Sequence, residues 1–100
     1  MKLRINGRIK AKLSEKNPPI TEEDIAQCFA NRTGKFLVDD REENLTNPLT
    51  RWFISETDYG LRLKICFVPY ATGLDIKTAY TPNDEEIRIY KKYGENNDEA

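Results

Sequence analysis

The sequence contains no histidine and only two cysteines among its 100 residues. Without histidine, Ser-His triads, His-paired nuclease sites and His-ligated metals are excluded in their usual forms. Cys28 and Cys66 do not form a C-x-x-C pair, which excludes a structural zinc site and gives no indication of a disulfide framework. We therefore interpret both cysteines as small buried thiols.

Long hydrophobic runs are also missing. The longest, residues 65–71, is far shorter than the ~18 residues that a membrane span needs. No apolar stretch follows the basic N-terminus, so we expect no signal peptide, no membrane association and a cytoplasmic location. The chain has no Gly-rich phosphate loop, cofactor-binding lysine motif or metal triad, and we predict neither a cofactor nor a metal. The acidic run 39–43 is interpreted as a solvated loop rather than a Mg²⁺ site.

The length allows one domain, and 38% hydrophobic residues are enough for one modest core. We place this domain at residues 1–94 and expect a mobile acidic tail at 95–100. Lys and Arg number 16 and Asp and Glu number 17, but the charge is uneven along the chain. Basic side chains dominate residues 1–16, where a solvated helix face and a contact to RNA or an acidic partner are both open interpretations.

Three segments have helical patterns. Apolar residues spaced by four predict a first helix over 5–16, although residues 2–5 are also compatible with an extended chain. Thr21 is a candidate N-cap for a second helix that ends between Asn31 and Gly34. A third helix is predicted to begin with Thr81 as N-cap and Pro82 at the first helical position, and to stop at Gly94.

Between the second and third helices the apolar period changes to two. This alternation predicts strands at 35–39, 51–57, 61–68 and 74–80, separated by a polar loop at 40–47 and by short turns. Short connections between successive strands imply an antiparallel meander. The predicted fold is therefore α+β, with two N-terminal helices, a four-stranded antiparallel sheet and a C-terminal helix. Unpaired edge strands of such a sheet offer a route to a homodimer.

Glu86 falls in the middle of the apolar arc of the third helix. A carboxylate on a buried face needs a partner or stays protonated. Two interpretations are open: a structural ion pair that ties the helix to the sheet, and a positioned carboxylate in a site. The candidate partners are cations of the sheet, namely Arg51, Arg62, Lys64 and Lys77.

The same cations can be read in two ways. They fit the solvated face of a half-covered sheet, which is common for antiparallel sheets. They also fit a phosphate-binding surface that includes Arg88, with Tyr80 or Tyr90 at its rim to stack bases.

The order of several short motifs resembles the BrnT-like group of small bacterial toxins, within the wider RelE-like class of toxin–antitoxin ribonucleases. The matching stretches are Ile20-Thr21-Glu22-Glu23 with Phe29, then Arg51-Trp52, Gly60-Leu61-Arg62-Leu63, Ile76-Lys77-Thr78-Ala79-Tyr80, and Glu86 with Tyr90. The resemblance covers roughly residues 16–93. Tyr80 stands where the group has arginine.

The resemblance implies a RelE-like fold, metal-independent cleavage of mRNA and inhibition by a cognate antitoxin. Glu86 or a lysine would be the base and Tyr80 or Tyr90 the proton donor. Arg51, Arg62 and Arg88 would stabilise charge, and Lys64 and Lys77 would add RNA contacts.

A non-catalytic protein on the same scaffold is the alternative hypothesis. An inhibitor, immunity protein or antitoxin-like protein that binds a basic partner fits the acidic pI of about 5.5 and the lack of histidine. If several cations surround Glu86 in an open cleft, the enzyme hypothesis gains. If Glu86 lies sealed under Trp52 with one cation, the structural ion pair is favoured.

Overall fold

A computed structural model describes residues 2–39 and 49–95 of the chain. In chain order the elements are β1 (Lys2–Arg4), α1 (Gly7–Ser14), α2 (Glu22–Asn31), β2 (Leu37–Val38), β3 (Arg51–Glu56), β4 (Arg62–Tyr70), β5 (Gly73–Tyr80) and α3 (Asp84–Tyr93). The α+β class is confirmed. The loop predicted at 40–47 lies outside the described residues, and so do most of the tail predicted at 95–100 and most of the acidic run 39–43.

The sheet differs from the predicted four-stranded meander. It has five strands in the order β1-β5-β4-β3-β2, and β1 runs parallel to β5. The extra strand forms because residues 2–4 are extended, with Leu3 opposite Leu74. The first helix is correspondingly shorter than predicted, since Asn6 caps it by accepting a hydrogen bond from the Ile9 N–H at 2.9 Å.

The N-cap predicted for the third helix was also wrong. Asn83, not Thr81, caps α3, because its side-chain oxygen accepts a hydrogen bond from the Glu86 N–H at 2.7 Å. The Glu86 carboxylate accepts one in return from the Asn83 N–H at 3.0 Å, which completes a capping box. The N-cap predicted for the second helix is confirmed, as Thr21 and Asp24 form the same reciprocal pair.

Helices α2 and α3 pack on opposite faces of the sheet. On one face the ring of Phe29 from α2 lies 4.7 Å from that of Phe53 and 5.4 Å from that of Phe67. On the other face the ring of Tyr90 from α3 lies 5.6 Å from the indole of Trp52. Because successive residues of a strand point to opposite faces, β3 and β4 are buried on both sides and form the centre of the core.

The two cysteines are free and buried, as the sequence predicts. Burial raises the pKa of the Cys28 thiol to about 12, so this thiol stays protonated at neutral pH. No helix among the described residues is long and apolar enough to cross a membrane.

Candidate functional site

Glu86 is held at the start of α3 by three donors. One carboxylate oxygen accepts a hydrogen bond from the Lys64 ammonium at 3.0 Å and another from the Tyr80 hydroxyl at 2.6 Å. The other oxygen accepts the Asn83 N–H of the capping box. Lys64 and Tyr80 are opposite each other on β4 and β5, so the register of the sheet aims both side chains at the same carboxylate. We call Lys64, Tyr80 and Glu86 the carboxylate cluster.

Lys64 is the most buried member, with only 7% of its side chain exposed, against 19% for Glu86. Its ammonium lies 4.5 Å from the centre of the Trp52 ring and 5.6 Å from that of Tyr80. A buried ammonium is costly without a counter-charge, and Glu86 is the carboxylate that the described structure brings to it. Trp52 therefore belongs to the site, whereas the sequence analysis used it for the resemblance and as a residue that could cover Glu86.

The ionisation states in this cluster follow from its geometry. For Glu86, burial would raise the pKa, but the bonds from Tyr80, Asn83 and Lys64 outweigh it and hold the pKa below its ordinary value. For Lys64, burial is the largest influence and would lower the pKa, but the bond to Glu86 and the interactions with Cys66 and Tyr80 together outweigh it, and the net direction is upward. Burial and the bond to Glu86 raise the pKa of Tyr80. At neutral pH the cluster is therefore a carboxylate, an ammonium and a neutral phenol.

The carboxylate cluster lies at the wall of a surface groove of about 520 Å³. Apart from Lys64 and Glu86, the groove is lined by Leu37, Val38, Asp39, Trp52, Ile89 and Tyr93. Val38 and Tyr93 are among the large apolar side chains that stay exposed, at 44% and 57%. The groove thus combines one buried cation and its carboxylate with an aromatic and aliphatic wall, which is the usual make-up of a ligand site.

The other cations named from the sequence do not reach this groove. Arg62 pairs with Glu56 at 3.4 Å and Lys77 lies 4.0 Å from Asp75. Each is at least 48% exposed. The expected convergence around Glu86 is therefore limited to Lys64.

Two further arginines are also elsewhere. Arg88 pairs with Glu85 at 2.7 Å on the exposed side of α3. Arg51 shares its strand face with Phe53, on the α2 side of the sheet and opposite the carboxylate cluster. The Nε of Arg51 is buried and has no hydrogen-bond partner within the described part of the chain.

Tyr90 is buried in the core and is not exposed as a site residue would be. Its ring is 1% exposed, and its hydroxyl donates to the Lys35 carbonyl at 2.7 Å. Burial raises its pKa to about 12. A Cβ at Gly34 would lie 2.5 Å from the hydroxyl, and a Cβ at Gly94 would meet the ring itself, so both glycines are needed for the close approach of their backbones.

Among residues 2–39 and 49–95, no three His, Cys, Asp or Glu side chains are grouped closely enough to hold a metal ion. No protein-family model matches the chain, and searches of the curated proteins and of the solved structures also found no match.

Proposed function

We propose that this protein is a small toxin-like endoribonuclease that cleaves RNA without a metal and is held inactive by a protein partner. The family resemblance of the sequence supports the proposal. One structural observation carries it: Lys64, Tyr80 and Glu86 come together at the wall of a groove with Trp52 beside them. A buried ion pair contributes little net stability compared with an apolar pair, and in a cleft it is a candidate functional site.

The residues of the carboxylate cluster fit the proton transfers of RNA cleavage. The 2′-oxygen attacks phosphorus and its proton passes to the Glu86 carboxylate. The P–O5′ bond breaks, and the leaving oxygen takes the phenol proton of Tyr80. Because Glu86 and Tyr80 are 2.6 Å apart, the proton on Glu86 can then return to the Tyr80 oxygen. Lys64 balances the charge of the pentacoordinate phosphorus.

The geometry of the carboxylate cluster also determines how fast cleavage is expected to be. The lowered pKa of Glu86 makes it a weak base, so its proton transfer contributes modestly. The described residues bring one cation, Lys64, to the groove, which gives little electrostatic attraction for RNA, and the net charge of the chain is −1. We therefore propose slow cleavage of free RNA.

The second candidate function is a non-catalytic protein that binds a basic partner. The observation that favours it is the separate pairing of Arg62, Lys77 and Arg88 with carboxylates outside the groove. The three hydrogen bonds that Glu86 accepts also fit a purely structural role. This candidate predicts a stable complex with a basic protein and no cleavage.

The test is inducible expression in a bacterial host, with growth and total RNA followed together. The ribonuclease proposal predicts growth arrest with fragmented RNA, and loss of both in Tyr80→Phe, which keeps the ring and removes the phenol proton. Arg88→Gln is the matched control, since it changes an exposed ion pair of α3 outside the groove. Growth arrest with intact RNA, or normal growth with the wild-type chain, would favour the binding protein.

A further inference from the structure

The sheet has an open border at β1. β1 is the terminal strand of the sheet, and among the described residues it pairs with β5 alone. Leu3 packs against the core, so the side chains of Lys2 and Arg4 point to the opposite face of the sheet, where both are exposed. Within residues 2–39 and 49–95 the backbone groups on the outer side of β1 have no neighbouring strand, which leaves room for a further one.

Two more cations reach this border from helix α1. Because α1 packs on β5 and α2 packs on β3, the side of α1 that is turned away from α2 faces the β1 border. Lys10 is on the α2 side, since its ammonium lies 3.9 Å from the Glu22 carboxylate. By the helical period, Lys12 flanks the buried Leu13 on the other side, and Arg8 lies one turn before Lys12. Arg8 and Lys12 are both exposed and therefore extend the border.

These four cations, which we call the basic edge, are Lys2, Arg4, Arg8 and Lys12. Their charge is poorly balanced by nearby residues, because residues 1–16 contain six basic side chains and one acidic one, Glu15. In the described part of the chain, Arg4 alone among the four has a carboxylate within ion-pair distance, that of Asp75 at 3.5 Å. The basic edge therefore presents an excess of positive charge on both faces of β1.

We propose that the basic edge binds an extended acidic segment of a partner protein, which adds a strand to the sheet beside β1. Successive side chains of such a strand point to opposite faces of the sheet. Carboxylates on one face would meet Lys2 and Arg4, and carboxylates on the other would meet Arg8 and Lys12. A second copy of this chain is a poor occupant, because two β1 strands side by side would bring like charges together.

A protein strand fits this border better than single-stranded RNA does. Proteins bind single-stranded RNA by stacking its bases on open aromatic rings as well as by contacting its phosphates. The aromatic ring that the described structure brings to this border is that of Tyr70, and the Arg4 guanidinium already covers it, 3.9 Å from the ring centre. The open backbone of β1 instead offers hydrogen bonds that an extended peptide can complete.

The first test titrates the purified protein with a capped heptapeptide of alternating Thr and Glu. Binding should shift the backbone amide signals of β1 and should weaken as salt is added. The same peptide with Lys in place of Glu should not bind, and neither should a fully N-methylated copy, which cannot donate backbone hydrogen bonds. An N-methylated copy that binds equally well, or a seven-nucleotide oligouridine that binds the β1 amides more tightly than the Glu peptide, would overturn the proposal.

The second test reverses charge at the basic edge. Lys2→Glu combined with Arg8→Glu should weaken binding of the Glu peptide about tenfold or more, since attraction becomes repulsion on both faces of β1. The same variant should gain binding of the Lys peptide. Arg88→Glu combined with Lys91→Glu is the matched control, because it changes the net charge equally at exposed positions of α3. Equal weakening by both pairs would overturn the proposal, because net charge alone would then account for the binding.

The basic edge lies outside the carboxylate cluster, so the inference does not depend on ribonuclease activity. A chain that cleaves no RNA but passes both peptide tests would lose the proposed function and keep the partner site. A chain that cleaves RNA but binds no acidic peptide at β1 would do the reverse.

Discussion

Replacing Glu86 with glutamine should destabilise the protein strongly, because it leaves the Lys64 ammonium buried without a counter-charge. Lys64 is 7% exposed and its counter-charge among the described residues is Glu86. Glutamine also has one acceptor oxygen where Glu86 uses two, so it loses either the Asn83 N–H or the pair of donors on the other oxygen.

The magnitude can be worked from these contacts. Removing one partner of a fully buried ion pair costs about 3–5 kcal/mol. Glu86 is 19% exposed, and water at the groove will screen part of this cost. We therefore expect a loss of about 2–4 kcal/mol at pH 7. For a domain of this size that lowers Tm by about 10–25 °C.

Thermal unfolding followed by circular dichroism measures this change. Glu85→Gln is the matched control, since Glu85 is the neighbouring residue on α3, is 63% exposed, and should leave Tm nearly unchanged. The Glu86 pKa is lowered in the folded state, so its stabilisation is present above its ordinary value of 4.5 and is lost as pH falls. The difference between wild type and Glu86→Gln should therefore shrink in acid. Equal melting of the Glu85→Gln and Glu86→Gln variants at pH 7 would refute the reasoning.

Three further predictions follow from the same structure. Gly94→Ala should cost about 1–3 kcal/mol in urea unfolding, because its methyl group would overlap the buried ring of Tyr90; unchanged stability would contradict the packing. The rate of any cleavage should show no titration of Glu86 or Tyr80 between pH 4.5 and 10.0, because the pKa of Glu86 is lowered from 4.5 and that of Tyr80 is raised from 10.0. A bell-shaped rate profile within that range would show that other groups carry out the proton transfers. Binding of single-stranded RNA should depend weakly on salt. The logarithm of the binding constant should fall with the logarithm of the salt concentration with a slope of about −0.7, as expected for the single contact of Lys64. A slope of about −3 or steeper would show that more cations bind RNA.

Much of the fold could be predicted from local signals. The period-two alternation located β3, β4 and β5 within two residues at each end, and Thr21 located the start of α2. The parallel strand β1 could not be assigned in this way, because three residues carry too little pattern and its pairing with β5 spans about 70 residues of sequence. The start of α3 was misplaced because Pro82 favours a first helical position, while Asn83 and Glu86 form the better capping pair.

The candidate site was only partly predictable, for a similar reason. The helical period identified Glu86 as a carboxylate on a buried face, and the geometry places Lys64 and Tyr80 on it. Which cation pairs with it depends on strand register, which no local pattern determines. The capping box at Asn83 was a signal in the sequence, since an Asn three residues before a Glu at a helix start is typical of one.

The most direct test of the proposed function is cleavage of a 5′-labelled single-stranded RNA by the purified protein in the presence of EDTA. The account predicts slow appearance of discrete fragments with wild type and with Glu85→Gln, and none with Tyr80→Phe, provided that circular dichroism shows all three to be folded. Intact RNA with the folded wild-type protein, or equal cleavage by Tyr80→Phe, would contradict the ribonuclease assignment of the carboxylate cluster.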